Sequence, residues 1–140
     1  MEIARELADK YGCASHLYGL GCATDNLDLI RESMVTMAEL GERTLVTDHF
    51  AALATLARKA GQHPSAVRLF AARATLRDAT GSPLPPFALE RMERELSDLR
   101  NVLGEAEFRQ AWDAGAALSL EDAIEYALEQ PVKSSEPDGL

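Results

Sequence analysis

Apolar positions along this chain recur every three or four residues and never in sustained alternation, the signature of helices rather than strands. Ile3, Leu7 and Tyr11 predict a helix over about 2–11, closed by Gly12. The segment ASHLYGLGCA, 14–23, predicts a second helix in which Gly19 and Gly21 either weaken the helix or mark a close helix–helix contact. Thr24, Asp25 and Asn26 are successive N-cap candidates. They precede the stripe Leu27, Ile30, Met34 and Met37, which runs to Gly41. Asp48 is assigned to the start or first turn of the next helix, where Phe50, Leu53, Ala54, Ala57 and Ala60 share a face as far as Gly61. His63 as a cap and Pro64 at the first helical position open another helix. Val67, Phe70, Ala71 and Ala74 face inward there, and Gly81 closes it.

The stretch GSPLPP, 81–86, then forbids a helix. Gly81 ends one helix, Pro83 and Pro85 hold an extended connector, and Pro86 starts the next without losing a needed hydrogen bond. Beyond it Leu89, Met92, Leu96, Leu99 and Leu103 repeat at 3-4-3-4 spacing, with Glu90–Arg94 a favourably oriented pair on the polar face. Gly104 separates this helix from a short one striped by Phe108, Ala111 and Trp112. Ser119 caps the last helix with Asp122 three residues on, Ala123, Ile124, Ala127 and Leu128 give its apolar face, and Pro131 stops it. The remainder, 131–140, is polar and is expected to be a disordered tail.

Glycine-ended helices joined by very short turns run antiparallel, so 43–61 and 64–80 form a hairpin. Glycines 41, 61 and 81 stand twenty residues apart, the rhythm of stacked helix pairs. The expected fold is therefore all-α, a short solenoid of tetratricopeptide-like antiparallel hairpins with about seven helices over 1–130. Its structural core is assigned to Phe50, Leu53, Phe70, Leu96, Phe108 and Trp112, with Phe108 and Trp112 locking the C-terminal helices onto the hairpin 43–80.

Bulk composition narrows the function. A net charge of −9 over 140 residues repels phosphate backbones, so no direct nucleic-acid partner is expected. No apolar run approaches the roughly 20 residues of a membrane helix, and the charged N-terminus lacks a signal-peptide core. A cytoplasmic location with no membrane partner follows as the expectation. Cys13 and Cys22 are then read as reduced, small buried thiols. Together with His16 they match no standard zinc spacing, so no metal and no cofactor is expected.

The hairpin 43–80 resembles a tetratricopeptide repeat. With Ala66 as the small residue early in the second helix, Phe50, Leu53 and Ala54 take the large, leucine and small positions of the first, and Phe70 the aromatic of the second. Arg73 stands where a later alanine is expected, which makes the repeat degenerate. The run from Ala66 to Glu129 further resembles the C-terminal end of the tetratricopeptide region in bacterial LuxR/MalT-type signal-transduction ATPases. The resembling elements are Pro83 to Pro86, Leu103-Gly104-Glu105, Phe108, Trp112, Gly115 and Leu118 to Ile124, and the likeness extends back without gaps to about Glu32. The sequence holds no GxxxxGK[ST] nucleotide loop, and an acidic tail stands where the LuxR-type members carry a helix-turn-helix. The resemblance thus implies the sensor or scaffold part of such a regulator, without its motor or DNA-binding output.

Three functions compete. The first is a protein–protein interaction module, since stacked helix pairs offer a concave face and exposed ends. Arg58, Arg68, Arg73 and Arg77 are its candidate surface for an acidic peptide. Met34 and Met37, or the heptad face of 89–103, are candidates for burial against a copy in a homodimer. The bland alternative is that the arginines are solvated surface charges and the stripes intramolecular core. The second is catalysis by His16, His49 or His63, which lack any nucleophile–base–orienter set, so no enzyme is expected. The third is small-molecule sensing between helices, for which the sequence displays no ring of polar groups.

Overall fold

A computed structural model describes residues 2–129, without the side chains of Glu2 and Ala4; the expected tail 131–140 lies outside the described residues. Within them the protein is all-α, with seven helices and no strand. They are α1 (Glu2–Thr24), α2 (Leu27–Glu39), α3 (Arg43–Lys59), α4 (His63–Ala79), α5 (Pro86–Leu103), α6 (Glu105–Ala116) and α7 (Leu120–Glu129).

The two helices expected over 2–11 and 14–23 are one. Gly12 and Gly19 lie inside α1, where each costs only about 1 kcal/mol against alanine and does not force a stop. Gly21 does mark a close approach: a Cβ there would sit 2.7 Å from the Ile30 side chain and 3.2 Å from the Asn26 carbonyl. Of the three cap candidates Asn26 is the cap, its side chain accepting from Leu29 N at 3.2 Å. Thr24 belongs to α1, where its hydroxyl donates to Leu20 O.

The ends of α2, α3 and α4 share one device. At the end of α3, Gly61 adopts φ +83° and Gln62 N donates back to Ala57 O at 2.8 Å, a Schellman closure. The same bond recurs from Glu42 to Met37 and from Ser82 to Arg77. Each glycine therefore turns the chain in the least length that satisfies the last carbonyls. His63 is the first residue of α4 rather than its cap, which is Gln62. Proline tolerates either of the first two helical positions because their N–H groups lack intrahelical acceptors.

The hairpin α3–α4 is the centre of the molecule. Phe50, Leu53, Ala54 and Ala57 from α3 meet Val67, Leu69 and Phe70 from α4, none more than 1% exposed. The α1–α2 pair packs on α3, α6 crosses α4, and α7 reaches both α4 and α2. Arg31 Nε donates to Ala127 O at 3.1 Å and ties α2 to α7. The α4–α6 crossing is close because of Gly115. A Cβ there would land on the Arg68 carbonyl oxygen and 2.7 Å from Arg68 Cα. Phe108 is buried on this side of α4, whereas Trp112 and Leu96 are only half-buried. Trp112 stacks on Phe108, with ring centroids 6.3 Å apart, and borders α5 beside Leu96.

Candidate functional site

Residues of α1, α3, α4 and α5 border a cleft of about 510 Å3. Its apolar surface includes Ala51, Ala52, Phe70 and Met92, and Phe87, 75% exposed, stands among its lining residues. The polar lining comes from positions far apart in the chain. Asp48 on α3 faces Arg73 and Arg77 on α4, with its Oδ1 accepting from Arg73 Nη2 at 3.2 Å and Arg77 Nη1 at 3.0 Å. Both arginine side chains are only 12% exposed. Arg77 Nε also donates to Ser82 O at 2.7 Å, pinning the connector. Arg73 Nε is buried with no acceptor. Tyr18 donates its hydroxyl to Asp48 O at 3.3 Å. Burial, then the neighbouring Cys22 and Asp48, pushes the Tyr18 phenol up, so it stays a neutral donor. Farther along the cleft, Glu95 Oε1 on α5 accepts from two α3 residues, from Arg58 Nε at 3.1 Å and from the Thr55 hydroxyl at 3.3 Å.

Asp48 is therefore not a first-turn helix stabiliser. The helix begins five residues earlier, at Arg43, and its carboxylate is occupied by the arginine pair. Nor do the four arginines expected on one surface converge. Arg73 and Arg77 do, and Arg58 crosses to α5. Arg68 leaves the cleft altogether: its Nη1 donates to Tyr126 OH on α7 at 3.1 Å, and Tyr126 donates on to Ser65. Met34 and Met37, offered as a surface for a second copy, are 0% and 2% exposed. They are core, because the α2 stripe turns inward between α1 and α3. On α5 the heptad face divides, with Met92 and Leu99 buried and Leu89 exposed.

The imidazoles hold no catalytic arrangement. His49 is 2% exposed, 2.7 Å from Leu45 O through Nδ1 and 2.9 Å from Ser33 Oγ through Nε2. The one hydrogen of the Ser33 hydroxyl goes to Ala14 O at 2.6 Å, and with its oxygen against the ring the network bolts α1, α2 and α3 together. The Tyr18 ring tilts over the imidazole at 4.2 Å. Burial pushes the His49 ring down from its ordinary value, against the pull of the Leu45 carbonyl and Asp48. His16 is exposed on α1 and His63 is half-buried at the start of α4, so the three rings do not meet. Cys13 and Cys22 are exposed rather than buried, because α1 turns a face to solvent. Cys22 borders the cleft, and partial burial raises its thiol. Among the described residues no group of three His, Cys, Asp or Glu side chains is placed to hold a metal, and no helix is long and apolar enough to cross a membrane.

No family model matches the chain, and no solved structure does. Curated relatives do. Two, one from Mycobacterium bovis and one from Mycobacterium tuberculosis, are each named a "Putative HTH-type transcriptional regulator"; each is 37% identical over 90 residues, 64% of this chain. The chain spans about a tenth of the length of these relatives. The protein is thus related in sequence to part of much longer regulators. Their names point to DNA binding and overturn the expectation, drawn from net charge, that nucleic acid is excluded as a partner. Net charge sums the whole surface, whereas contact with a phosphate backbone needs only a local cluster of cations.

Proposed function

We propose that the chain is a non-catalytic regulatory module, a tetratricopeptide-like helical scaffold of the kind that LuxR/MalT-type regulators carry, and that it works by receiving a partner in the α1–α3–α5 cleft. The observation that supports this most is the convergence there of Tyr18, Asp48, Thr55, Arg73 and Arg77 over a packed core, with no nucleophile–base pair among them. Solenoid proteins use such concave faces to bind. A photo-crosslinking residue placed at Thr55 or Ala88, inside the cleft, is expected to capture a defined partner in the host cell, while one at Glu121 on α7 is not. Equal capture from both positions, or none, overturns the reading. A mobility-shift assay with host DNA fragments runs beside it; binding to DNA by the module alone would replace a protein partner as its output.

A homodimer, the variant of this reading, would draw on the exposed stripe Ile3, Leu7 and Tyr11 on α1, at 72%, 49% and 41% exposure. Light scattering over a concentration series tests it. A dimer mass that Leu7→Glu reduces to the monomer supports the variant, and a constant monomer removes it.

A further inference from the structure

From the charge balance and shape of the cleft, we infer that it is a site for a small organic carboxylate with an apolar body, held by Arg73 and Arg77. The inference rests on the reading of the cleft as the receiving surface and names a ligand class for it. In a chain of net charge −9, the cleft lining carries the cations Lys59, Arg73, Arg77 and Arg91 against the carboxylates Asp25, Asp48 and Glu95. Two of the three carboxylates are already matched: Asp25 pairs within the lining with Lys59 at 3.1 Å, which cancels that cation, and Glu95 pairs with Arg58, outside the lining, at 3.1 Å. The third, Asp48, is shared between two guanidinium groups through a single oxygen, Oδ1.

One carboxylate against two largely buried guanidinium groups leaves a positive charge uncompensated, where desolvation makes that costly. Arg73 adds a buried Nε with no acceptor. A second carboxylate supplies the missing charge, and planar guanidinium forks match its geometry better than that of any neutral acceptor. Tyr18, kept protonated by burial, and the Thr55 hydroxyl add neutral polar groups to the lining. The remaining wall is Ala51, Ala52, Phe70 and Met92, with Phe87 exposed beside it. A volume of about 510 Å3 falls within the range of small-molecule sites. An extended acidic peptide would have to place its further negative charges beside Asp25, Asp48 and Glu95, which disfavours it. The arginine pair also fixes α4 to α3 and, through Ser82, to the connector before α5. Occupation would therefore stiffen the joint between the central hairpin and the C-terminal helices.

The test is thermal unfolding and calorimetric titration of the whole chain with acetate, octanoate, phenylacetate and 3-phenylpropionate. Phenylacetamide and phenethylamine serve as neutral and cationic controls, and a tetraglutamate peptide as the macromolecular arm. The longer acids are expected to raise the midpoint and bind at least about tenfold more tightly than phenylacetamide, the loss usual for removing a charge-assisted pair. Arg73→Gln is expected to abolish that preference. Ala88→Leu, which fills the cleft and leaves the charges in place, is expected to weaken every acid. No midpoint shift with any of the acids at millimolar concentration overturns the inference, as does equal binding of phenylacetamide. Binding of tetraglutamate alone also overturns it and leaves the broader reading of the cleft standing. Failure of the crosslinking with success here separates the two.

Discussion

His49 shows at the residue scale what burial does to a titratable group. Its ring is held by Leu45 O and Ser33 Oγ, and desolvation lowers its affinity for a proton. The unfolded ring binds protons below about pH 6.5. Between that value and the lower folded one, the unfolded state holds the extra proton, so acidification favours unfolding. The contribution of His49 is intact above about pH 6.5 and is lost as pH falls towards the folded value. Urea melts at neutral and mildly acidic pH are expected to show stability falling on acidification, by at most about 1.4 kcal/mol per pH unit for one proton. His49→Gln is expected to be less stable throughout and to lose this part of the slope; an unchanged slope would show that the ring titrates as if exposed. Sequence reading offers His49 no partner beside it on the helix, since sequence neighbours there do not face each other. It had no means of seeing Ser33 or Tyr18, which lie 16 and 31 positions away and meet the ring only through the stacking of α1 and α2 on α3.

At the scale of elements, the glycines sort by the job that geometry gives them. Gly61 has open space around its Cα and a φ of +83°. Gly61→Ala therefore meets only backbone strain, about 1–2 kcal/mol. Gly115 has an ordinary helical backbone and the Arg68 carbonyl against it, so Gly115→Ala must push α6 off α4. It is expected to cost more than Gly61→Ala, roughly 3 kcal/mol or above, and to enhance proteolysis at 105–129. Equal costs in paired denaturant melts would contradict the close crossing. Trp112 follows the same logic: half-buried against α5, it is expected to cost about 1–3 kcal/mol as Trp112→Ala, below the roughly 3–5 usual for a fully buried ring and below Phe70→Ala. The turn glycines at 41, 61 and 81 were legible because a left-handed closure restricts residue type. The length of α1 was not, because a helix tolerates glycine when tertiary contacts such as Gly21 against Ile30 repay it. The arginine pair was half legible. Arg73 stood out as a departure from the repeat, but its partner Asp48 reads locally as a helix-start residue.

Across the whole molecule, stability should grade from one end to the other. The helix α1 has 23 residues and α2 has 13, so α1 is about 35 Å long against about 20 Å for its neighbour. The stripe that buries Ala14 and half-buries Tyr18 continues outward as Ile3, Leu7 and Tyr11, exposed and outside the packed core. In contrast α4 touches α3, α5, α6 and α7. Amide exchange should reflect that difference, because protection follows the free energy of the smallest opening that exposes a group. Amides over 5–11 are expected to exchange through local fraying, at a cost of about 0–1 kcal/mol, and those over 66–73 only through global unfolding. Dilution should leave both values unchanged if the overhang is bare in solution. If the amides over 5–11 are instead protected at high concentration and lose that protection on dilution, a second copy covers the stripe, and the free cleft becomes the face left for a ligand or partner. Concentration-independent protection of 5–11 equal to that of 66–73 would contradict the packing described for α1, since no contact among the described residues accounts for it.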